Sequence, residues 1–458
     1  MSQNRTKNHL DLLLSGNLVL DDEHPVKGSL GIKNKKIVAI GDKNSLGKAD
    51  KEIDFGDLLI FPGAVDAHCH SIGYEYEGFT SSTRGAAAGG VTTINDHPLD
   101  LGGAPVTAKD LEEKKMRMAQ EVHVDYCLTG GVVSGQLADL PGAIEAGIVA
   151  YKALMHSTAD PSWYHMTALE DWELLKSFEV ISQTKLPVIV HAENENLIAH
   201  YTKELRSQGK TYPAAHNESR PDITEIEAVS RAICFAGASN VHLHLAHLSL
   251  PQSFILASEA RQKGVLVTAE TCPHFLVLTM DRWKDVGARY KINPPLRSEE
   301  ARAGLWRLLT DGYINIVASD HAPHAPEIVD DIFENPSGSP GIETLVPLMF
   351  SEGVSKGNIS LSRFTQLVST NPAKMLKIYP QKGAIRIGSD ADLMVLDPKK
   401  KWTIEGHNLQ TPCKLTVFEG IPVVGRVVST FVRGKQVYLD GEIIGQPGDG
   451  QFVARGTN

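Results

Sequence analysis

Short apolar runs alternate with longer amphipathic stretches between about residue 58 and residue 325, and this alternation limits the possible folds more than any other feature. Eight runs are typical of β-strands: LLIFPGAVDAH, GVTTIND, VDYCLTGG, GIVAYKALM, LPVIVHAE, NVHLHLAHLS, GVLVTAETC and NIVASDH. Segments between them, such as TAKDLEEKKMRMAQEV and TEIEAVSRAICFAGA, carry apolar residues at helical spacing. Eight strand–helix units over roughly 250 residues predict a (β/α)8 TIM barrel. An open doubly wound sheet also alternates, but no G-x-G-x-x-G follows the first run.

The two ends of the chain have a different pattern. Residues 11–60 and 383–445 contain short β runs separated by Gly and Asp turns, and neither piece has enough strands to bury a core alone. Together they predict a small composite β-sandwich domain formed by both termini. We expect residues 1–57 and 374–458 to form this domain and residues 58–373 to form the barrel. The final GQPGDGQFVARGTN is expected to be a loosely held tail, or a segment that clasps a partner subunit.

Composition excludes several classes of protein. The net charge of −10 argues against a nucleic-acid surface, which would need clustered Lys and Arg. No stretch approaches the ~20 apolar residues that a membrane span requires. The five cysteines are scattered and odd in number, which does not suit a disulfide framework. We therefore expect a cytoplasmic globular protein.

Residues that can bind metal ions fall at the predicted C-terminal ends of the strands, where barrel enzymes carry their chemistry. His68 and His70 end the first strand and, being two residues apart, point the same way. A second H-x-H, His242 and His244, is interpreted as structural because His244 has the opposite parity to His247. The strand-end set predicts a metal site formed by His68, His70, His191, His247 and Asp320, with Asp96 and Lys152 at two further strand ends.

Lys152 ends an otherwise apolar strand, where a charged lysine is unfavourable unless it is paired. One interpretation is a buried lysine paired with an acid such as Asp96. The other is that the neutral amine has reacted with CO2 to give a carbamate. A carbamate converts a cation into a carboxylate that can bridge two metal ions. The residues alone leave both interpretations open.

Many motifs together resemble the cyclic amidohydrolases, which include hydantoinases, allantoinases, dihydropyrimidinases and dihydroorotases. They are the H-x-H after PGAVDAH, the lysine in AYKALM, HAEN, AHLS, AETCPHFL, NPPLR, SDHAPH, NPAKMLKIYPQKGAIRIGSDADLMVLD and RVVSTFVRGKQVY. The resemblance covers nearly the whole chain. It implies a (β/α)8 barrel beside a composite β-sandwich, and an enzyme that hydrolyses a cyclic amide.

The resemblance also implies a binuclear site with two divalent ions per chain, zinc in most relatives and manganese as the alternative. One ion would be held by His68, His70, Asp320 and an N6-carboxylated Lys152. His191, His247 and the same Lys152 would hold the other. All six positions are filled here, which argues against the non-enzymatic scaffold relatives that lose metal ligands. Relatives of this kind are expected to form homodimers or homotetramers.

The expected chemistry assigns further roles. Asp320 would take a proton from the attacking hydroxide and pass it to the departing ring nitrogen. By resemblance, Asn293 and Ser337 would hold the ring mainly through backbone groups. The further candidates near the substrate are His97, His156, Tyr74 and Tyr76.

The ring is the least determined part of the prediction. No arginine follows the H-x-H, as it does in dihydroorotases, and Ser157 stands where D-hydantoinases and dihydropyrimidinases carry a tyrosine. YEGF, AAAGGVTT and PLD resemble allantoinases, but a Glu-Pro-Gly-Arg stretch is missing. VDYCLTGGVVSGQL, VIVHAENE, IYPQKG and GQFVAR resemble the L-selective hydantoinases. We expect a five-membered cyclic ureide, hydantoin first and allantoin second, ahead of dihydropyrimidines and dihydroorotate.

Overall fold

The computed structural model describes residues 9–20, 24–71, 77–100, 102–157, 166–323 and 328–456. In this part of the chain the strands form two eight-stranded sheets. The strands in chain order are β1 (Leu10–Leu18), β2 (Val26–Lys33), β3 (Lys36–Gly41), β4 (Ala49–Pro62), β5 (Ala64–Cys69), β6 (Val91–Asp96), β7 (Asp125–Gly131), β8 (Ala150–Leu154), β9 (Pro187–His191), β10 (His242–Leu245), β11 (Val267–Thr271), β12 (Ile316–Val317), β13 (Leu393–Thr403), β14 (Pro422–Val432), β15 (Lys435–Leu439) and β16 (Glu442–Ile443).

One of the two sheets is parallel, and its strands follow chain order from β5 to β12. It closes beyond β12, where His321 pairs in parallel with Cys69. The backbone N–H of His70 donates to the His321 carbonyl at 2.8 Å, and that of Asp320 donates to the His68 carbonyl at 3.0 Å. The predicted eight-stranded parallel barrel is therefore confirmed.

Helices occupy the connections between the barrel strands. The two segments predicted to be helical are helices at Ala108–Glu121, which begins with a Thr107–Asp110 capping box, and Ile223–Ser239. The other α-helices are Phe79–Ala88, Asp171–Ser182, Glu195–Ser207, Ala215–Glu218, Pro251–Gln262, Pro273–Val277, Trp283–Val286, Glu299–Thr310, Leu345–Met349, Leu361–Thr365 and Asn371–Met375. Short 3-10 or π-helical segments lie at Lys43–Ser45, Leu137–Ala146, Met280–Arg282, Gly287–Tyr290, Phe350–Ser355, Gln366–Thr370 and Gly406–Asn408. None of the helices within the described ranges is long and apolar enough to cross a membrane.

The other sheet combines strands from both ends of the chain in the order β16-β15-β14-β13-β4-β1-β2-β3. Its N-terminal and C-terminal halves join where β4 and β13 pair in antiparallel fashion, with Leu393 opposite Pro62. Leu14, Ile60 and Phe431 are buried in its core. The predicted composite β domain is therefore confirmed, and its strands form one continuous ladder.

The boundary between the two sheets lies at Gly63. We predicted LLIFPGAVDAH as one barrel strand, and this was wrong: β4 ends at Pro62 in the terminal sheet, and β5 begins at Ala64 in the barrel. A Cβ on Gly63 would lie 2.1–2.7 Å from side-chain atoms of Thr92. Glycine therefore allows the chain to pass from one sheet to the other. The expected division into domains at residues 57 and 374 stays a prediction.

The C-terminal segment is held against the barrel, contrary to the loosely held tail that we expected. The backbone N–H of Tyr126 donates to the Gln451 carbonyl at 3.0 Å, and that of Val453 donates to the Tyr126 carbonyl at 2.8 Å. Asp125 accepts a hydrogen bond from the Gln451 N–H at 2.7 Å. These contacts lie at the beginning of β7, the end of the barrel opposite the predicted site.

Candidate metal centre

The six predicted metal ligands meet at the C-terminal end of the barrel. All of them are buried or nearly so. A cavity of about 440 Å³ at this end is lined by five of them and by both predicted ring-holding residues. These lining residues include His70, Lys152, His191, His247, Asp320, Asn293 and Ser337.

On one side of the cluster, the Asp320 carboxylate lies close to two imidazole rings, and the Lys152 amine lies close to one of those rings. Asp320 Oδ1 lies 3.3 Å from His68 Nε2 and 3.6 Å from His70 Nε2. Lys152 Nζ lies 3.3 Å from His68 Nε2. Two imidazole nitrogens, a carboxylate oxygen and an amine nitrogen therefore converge within a few ångströms.

On the other side, His191 Nδ1 faces His247 Nε2 at 2.9 Å. The opposite nitrogen of His191, Nε2, lies 2.8 Å from Glu193 Oε2. Glu193 thus fixes the orientation of the His191 ring and leaves Nδ1 directed at His247. A carboxylate on the outer nitrogen is the usual arrangement for a metal-binding histidine.

The chemistry of this cluster fits divalent metal ions. Burial lowers the pKa of His68 to about 4 and the pKa of His247 well below its ordinary value. Both rings are therefore neutral near pH 7, the form in which imidazole binds metals. Imidazole nitrogen and carboxylate oxygen are ligands of zinc, and they suit several other divalent ions.

Two of the predicted ligands have unusual backbone conformations. His247 has a φ of 34° and Asp320 a φ of 46°, in the left-handed region that residues other than glycine rarely adopt. Each follows the end of its strand, β10 at Leu245 and β12 at Val317. Backbone strain of this kind clusters at functional sites, which agrees with a role for both side chains.

Lys152 lies within β8 and is 2% exposed. Burial lowers the pKa of its amine to about 8. Asp96, the acid considered as its partner, instead pairs with Lys114 at 2.5 Å and accepts a hydrogen bond from the Ser71 N–H at 2.8 Å. The interpretation of Lys152 as the partner of Asp96 is therefore wrong. The lowered pKa leaves a substantial neutral fraction near pH 7, as a reactive amine requires.

Sequence reasoning missed Glu270. This residue in β11 places Oε1 2.5 Å from His68 Nδ1, and Oε2 3.1 Å from His244 Nε2. Glu270 thus orients the His68 ring from outside the cluster, and His244 lies behind it. The available signal was a glutamate inside the apolar run VTAET, in a strand that is buried in the barrel wall.

The two predicted substrate histidines are both engaged in other contacts. The His97 ring stacks on His68 with centroids 3.8 Å apart, and its Nε2 lies 3.2 Å from the Ala67 carbonyl. The nitrogens of His156 contact Glu195 Oε2 at 2.6 Å and Arg220 Nη2 at 2.9 Å. Substrate contact by His97 and His156 stays a prediction. Tyr74 and Tyr76 lie outside the described residues.

The parallel barrel carries a histidine-rich candidate metal site at the C-terminal ends of its strands. This arrangement is typical of TIM-barrel enzymes, whose active sites lie at that end. A family model described as the amidohydrolase family matches residues 59–437, and the chain belongs to this family.

Individual relatives show which branch of the family this chain resembles. The chain is 34% identical to an L-hydantoinase of Paenarthrobacter aurescens, with 97% of this chain and 98% of the relative covered. It is 35% identical to an allantoinase of Deinococcus radiodurans, with 96% and 97% covered. The solved structure of an L-hydantoinase (dihydropyrimidinase) from Arthrobacter aurescens superposes with a TM-score of 0.93 at 33% identity, covering 97% of this chain and all of that one. The predicted hydantoinase and allantoinase branch, and with it a hydrolase of cyclic amides, is confirmed.

Proposed function

We propose that the protein uses two divalent metal ions to hydrolyse the cyclic amide bond of a five-membered ureide, opening a hydantoin-type ring to an N-carbamoyl amino acid. The observation that carries this proposal is the convergence of four histidines, Lys152 and Asp320 in one cluster at the C-terminal end of the barrel, where all of them except His68 line a single cavity.

The proposed ligand set follows the two sides of the cluster. His68, His70 and Asp320 would hold one ion, and His191 with His247 the other. An N6-carboxylated Lys152 would bridge them, and the lowered pKa of its amine supports this modification because CO2 reacts with the neutral form. Zinc is the proposed metal, with manganese as the alternative. Bound there, such a pair of ions supplies an acidified water and polarises the scissile carbonyl.

Asp320 is the proposed proton carrier. Its Oδ1 faces His68 and His70, and the carboxylate has a second oxygen available for a proton. It would accept the proton of the attacking hydroxide and deliver it to the ring nitrogen as the C–N bond breaks. Asn293 and Ser337, which line the same cavity, would hold the ring through backbone groups.

Allantoin is the second candidate substrate. It is favoured by the allantoinase relative, which matches this chain as closely in identity as the L-hydantoinase does. Both substrates carry a five-membered ureide ring, so the same proposed ring-opening chemistry applies to either. A cytoplasmic location and a homodimeric or homotetrameric assembly stay predictions.

A substrate panel tests the proposal. Metal-loaded protein would be offered hydantoin, both enantiomers of a 5-substituted hydantoin, allantoin, dihydrouracil and dihydroorotate, and ring opening would be measured for each. We expect the largest kcat/KM for a five-membered ureide. A preference for dihydrouracil or dihydroorotate would overturn the assignment of the ring, and no turnover of any of them would overturn the function.

A further inference from the structure

A chain of buried polar side chains extends from the candidate metal centre and has no assigned role. It begins at Glu193, whose Oε2 contacts His191 Nε2 at 2.8 Å. Glu193 is fully buried, and the same oxygen accepts a hydrogen bond from Arg220 Nη1 at 2.9 Å. A buried carboxylate requires a cation of this kind to remain charged.

Arg220 contacts a second residue near the cavity. Its Nη2 lies 2.9 Å from His156 Nε2. His156 Nδ1 is held in turn by Glu195 Oε2 at 2.6 Å, and the same carboxylate oxygen accepts a hydrogen bond from the Ser157 N–H. One guanidinium therefore links a candidate ligand on β9 to the segment that follows β8, the strand of Lys152. The planar fork of arginine suits two partners at once, and a lysine would not.

Arg220 is itself held in place. It is 7% exposed and lies between the helices Ala215–Glu218 and Ile223–Ser239. Its carbonyl accepts a hydrogen bond from Arg297 Nη1 at 2.6 Å, and Arg297 Nε donates to Ser249 Oγ at 2.9 Å. These contacts fix the backbone from which the buried guanidinium reaches its two partners.

The two sides of the metal centre differ in this respect. On the His68 side, Glu270 is shared between His68 and His244, and no arginine pairs with it among the described residues. On the His191 side, Glu193 depends on Arg220. Removal of Arg220 should therefore affect one side and leave the other unchanged.

We propose that Arg220 is a positioning residue that holds Glu193 against His191 and so sets the metal affinity of the His191–His247 position. This inference rests on the proposed function, because it presupposes that these histidines bind an ion. Arg220 touches neither metal nor substrate in this role. It acts through Glu193 on the ring of His191.

The experiment measures metal affinity rather than the rate of ring opening. Metal-free wild type and Arg220→Met would be titrated with zinc against a competing chelator, resolving two binding steps. Loss of such an outer-shell partner typically weakens metal binding about 10–100-fold, and we expect this loss in one step only. Arg231→Met is the matched control, since Arg231 pairs with Asp171 and Glu227 away from the cluster. It should bind both ions as wild type does.

Two further variants keep the test decisive. Arg220→Lys retains the charge beside Glu193 but cannot also contact His156, and should recover part of the lost affinity, which a general packing defect would not allow. If Arg220→Met does not fold, Glu193→Gln removes the charge that Arg220 holds and should weaken the same step at least fivefold. Wild-type affinity for both ions in a folded Arg220→Met or Glu193→Gln would overturn the inference and leave the proposed function intact. A wild type that binds no ions would overturn both.

Discussion

Two lysines are buried at opposite ends of this barrel, and their surroundings differ completely. Lys382 is 1% exposed and pairs with Asp125, Asp390 and Asp392. Burial alone would lower the pKa of its amine, but Asp392 and Asp390 raise it above the ordinary value. Lys152 has no ion pair among the described residues, contacts His68, and has its pKa lowered to about 8.

The comparison separates a cation held in ion pairs from a buried amine whose pKa is lowered. Lys382 joins the start of β7, through Asp125, to the segment that precedes β13, through Asp390 and Asp392. It therefore ties the barrel to the terminal sheet as a permanent charge. Lys152 contacts His68, and the attraction of Asp320 and Glu270 raises its pKa less than burial lowers it, so loss of its proton is easier than for an exposed lysine. Burial alone thus does not distinguish the two roles, whereas the neighbouring charges do.

The largest effect is expected for Lys152→Ala. Loss of the bridging residue should remove at least one metal ion per chain and reduce kcat by more than the about 100-fold that loss of an outer-shell partner causes. Short carboxylic acids added with bicarbonate should restore part of the activity by replacing the bridge. Metal content by elemental analysis and turnover of hydantoin measure both effects. Wild-type metal content and rate would make Lys152 a structural residue like Lys382.

Asp320→Asn should give the next largest effect. The amide keeps the size and one possible oxygen ligand but cannot accept a proton, and general acid–base catalysis contributes about 10²- to 10⁴-fold. We expect kcat to fall by that range while KM changes much less. Steady-state kinetics on protein with verified metal content measure this. A variant that retains its metals and stays within about tenfold of wild type would move the proton transfer to another group, such as His156.

Lys382→Met tests the other end of the barrel. Removal of the cation leaves three carboxylates buried together, and breaking a buried ion pair in this way costs about 3–5 kcal/mol. Stability against denaturant should fall by that amount, while kcat of the folded, metal-loaded variant stays at the wild-type value. An unchanged stability would show that the three aspartates do not depend on Lys382. A lost activity in fully folded protein would show that the two ends are coupled.

The smallest effect on stability is expected for Glu343, whose carboxyl group is favoured in its neutral form. Burial raises the pKa of Glu343 to about 7. Because the folded protein holds this proton more tightly than the unfolded chain, its stabilising contribution is complete below pH 4.5 and is lost as the pH rises through about 7. Glu343→Gln should therefore raise stability relative to wild type at pH 8 by on the order of 1 kcal/mol, and less at pH 5. Melting temperatures at the two pH values measure this, and an equal difference at both would contradict it.

The sequence predicted the barrel, the terminal sheet and the six clustered side chains because each has a local signal. Strand ends such as VIVHAE show a histidine directly after an apolar run. The position of Gly63 between two sheets had no such signal, since LLIFP and GAVDAH are both apolar and continuous. In the structure the two strands separate at Gly63, where a Cβ would lie 2.1–2.7 Å from side-chain atoms of Thr92.

The outer contacts of the metal centre could not be predicted from local pattern. Glu270 is 202 residues from His68 along the chain, and Arg220 is 27 residues from Glu193. These partners become visible only when the barrel brings distant strands together. The same applies to the C-terminal tail, whose polar, glycine-rich composition predicted mobility, although its backbone pairs with Tyr126 at the start of β7.

The most direct test of the central claim is detection of the carbamate on Lys152. Wild-type protein, loaded with metal in the presence of ¹³C-bicarbonate, should show one carbamate carbon signal per chain by ¹³C NMR. The signal should be present in Lys382→Met, because that lysine is a permanently charged ion-pair partner, and absent in Lys152→Ala. A fully active, metal-loaded wild type without a carbamate signal would contradict the account.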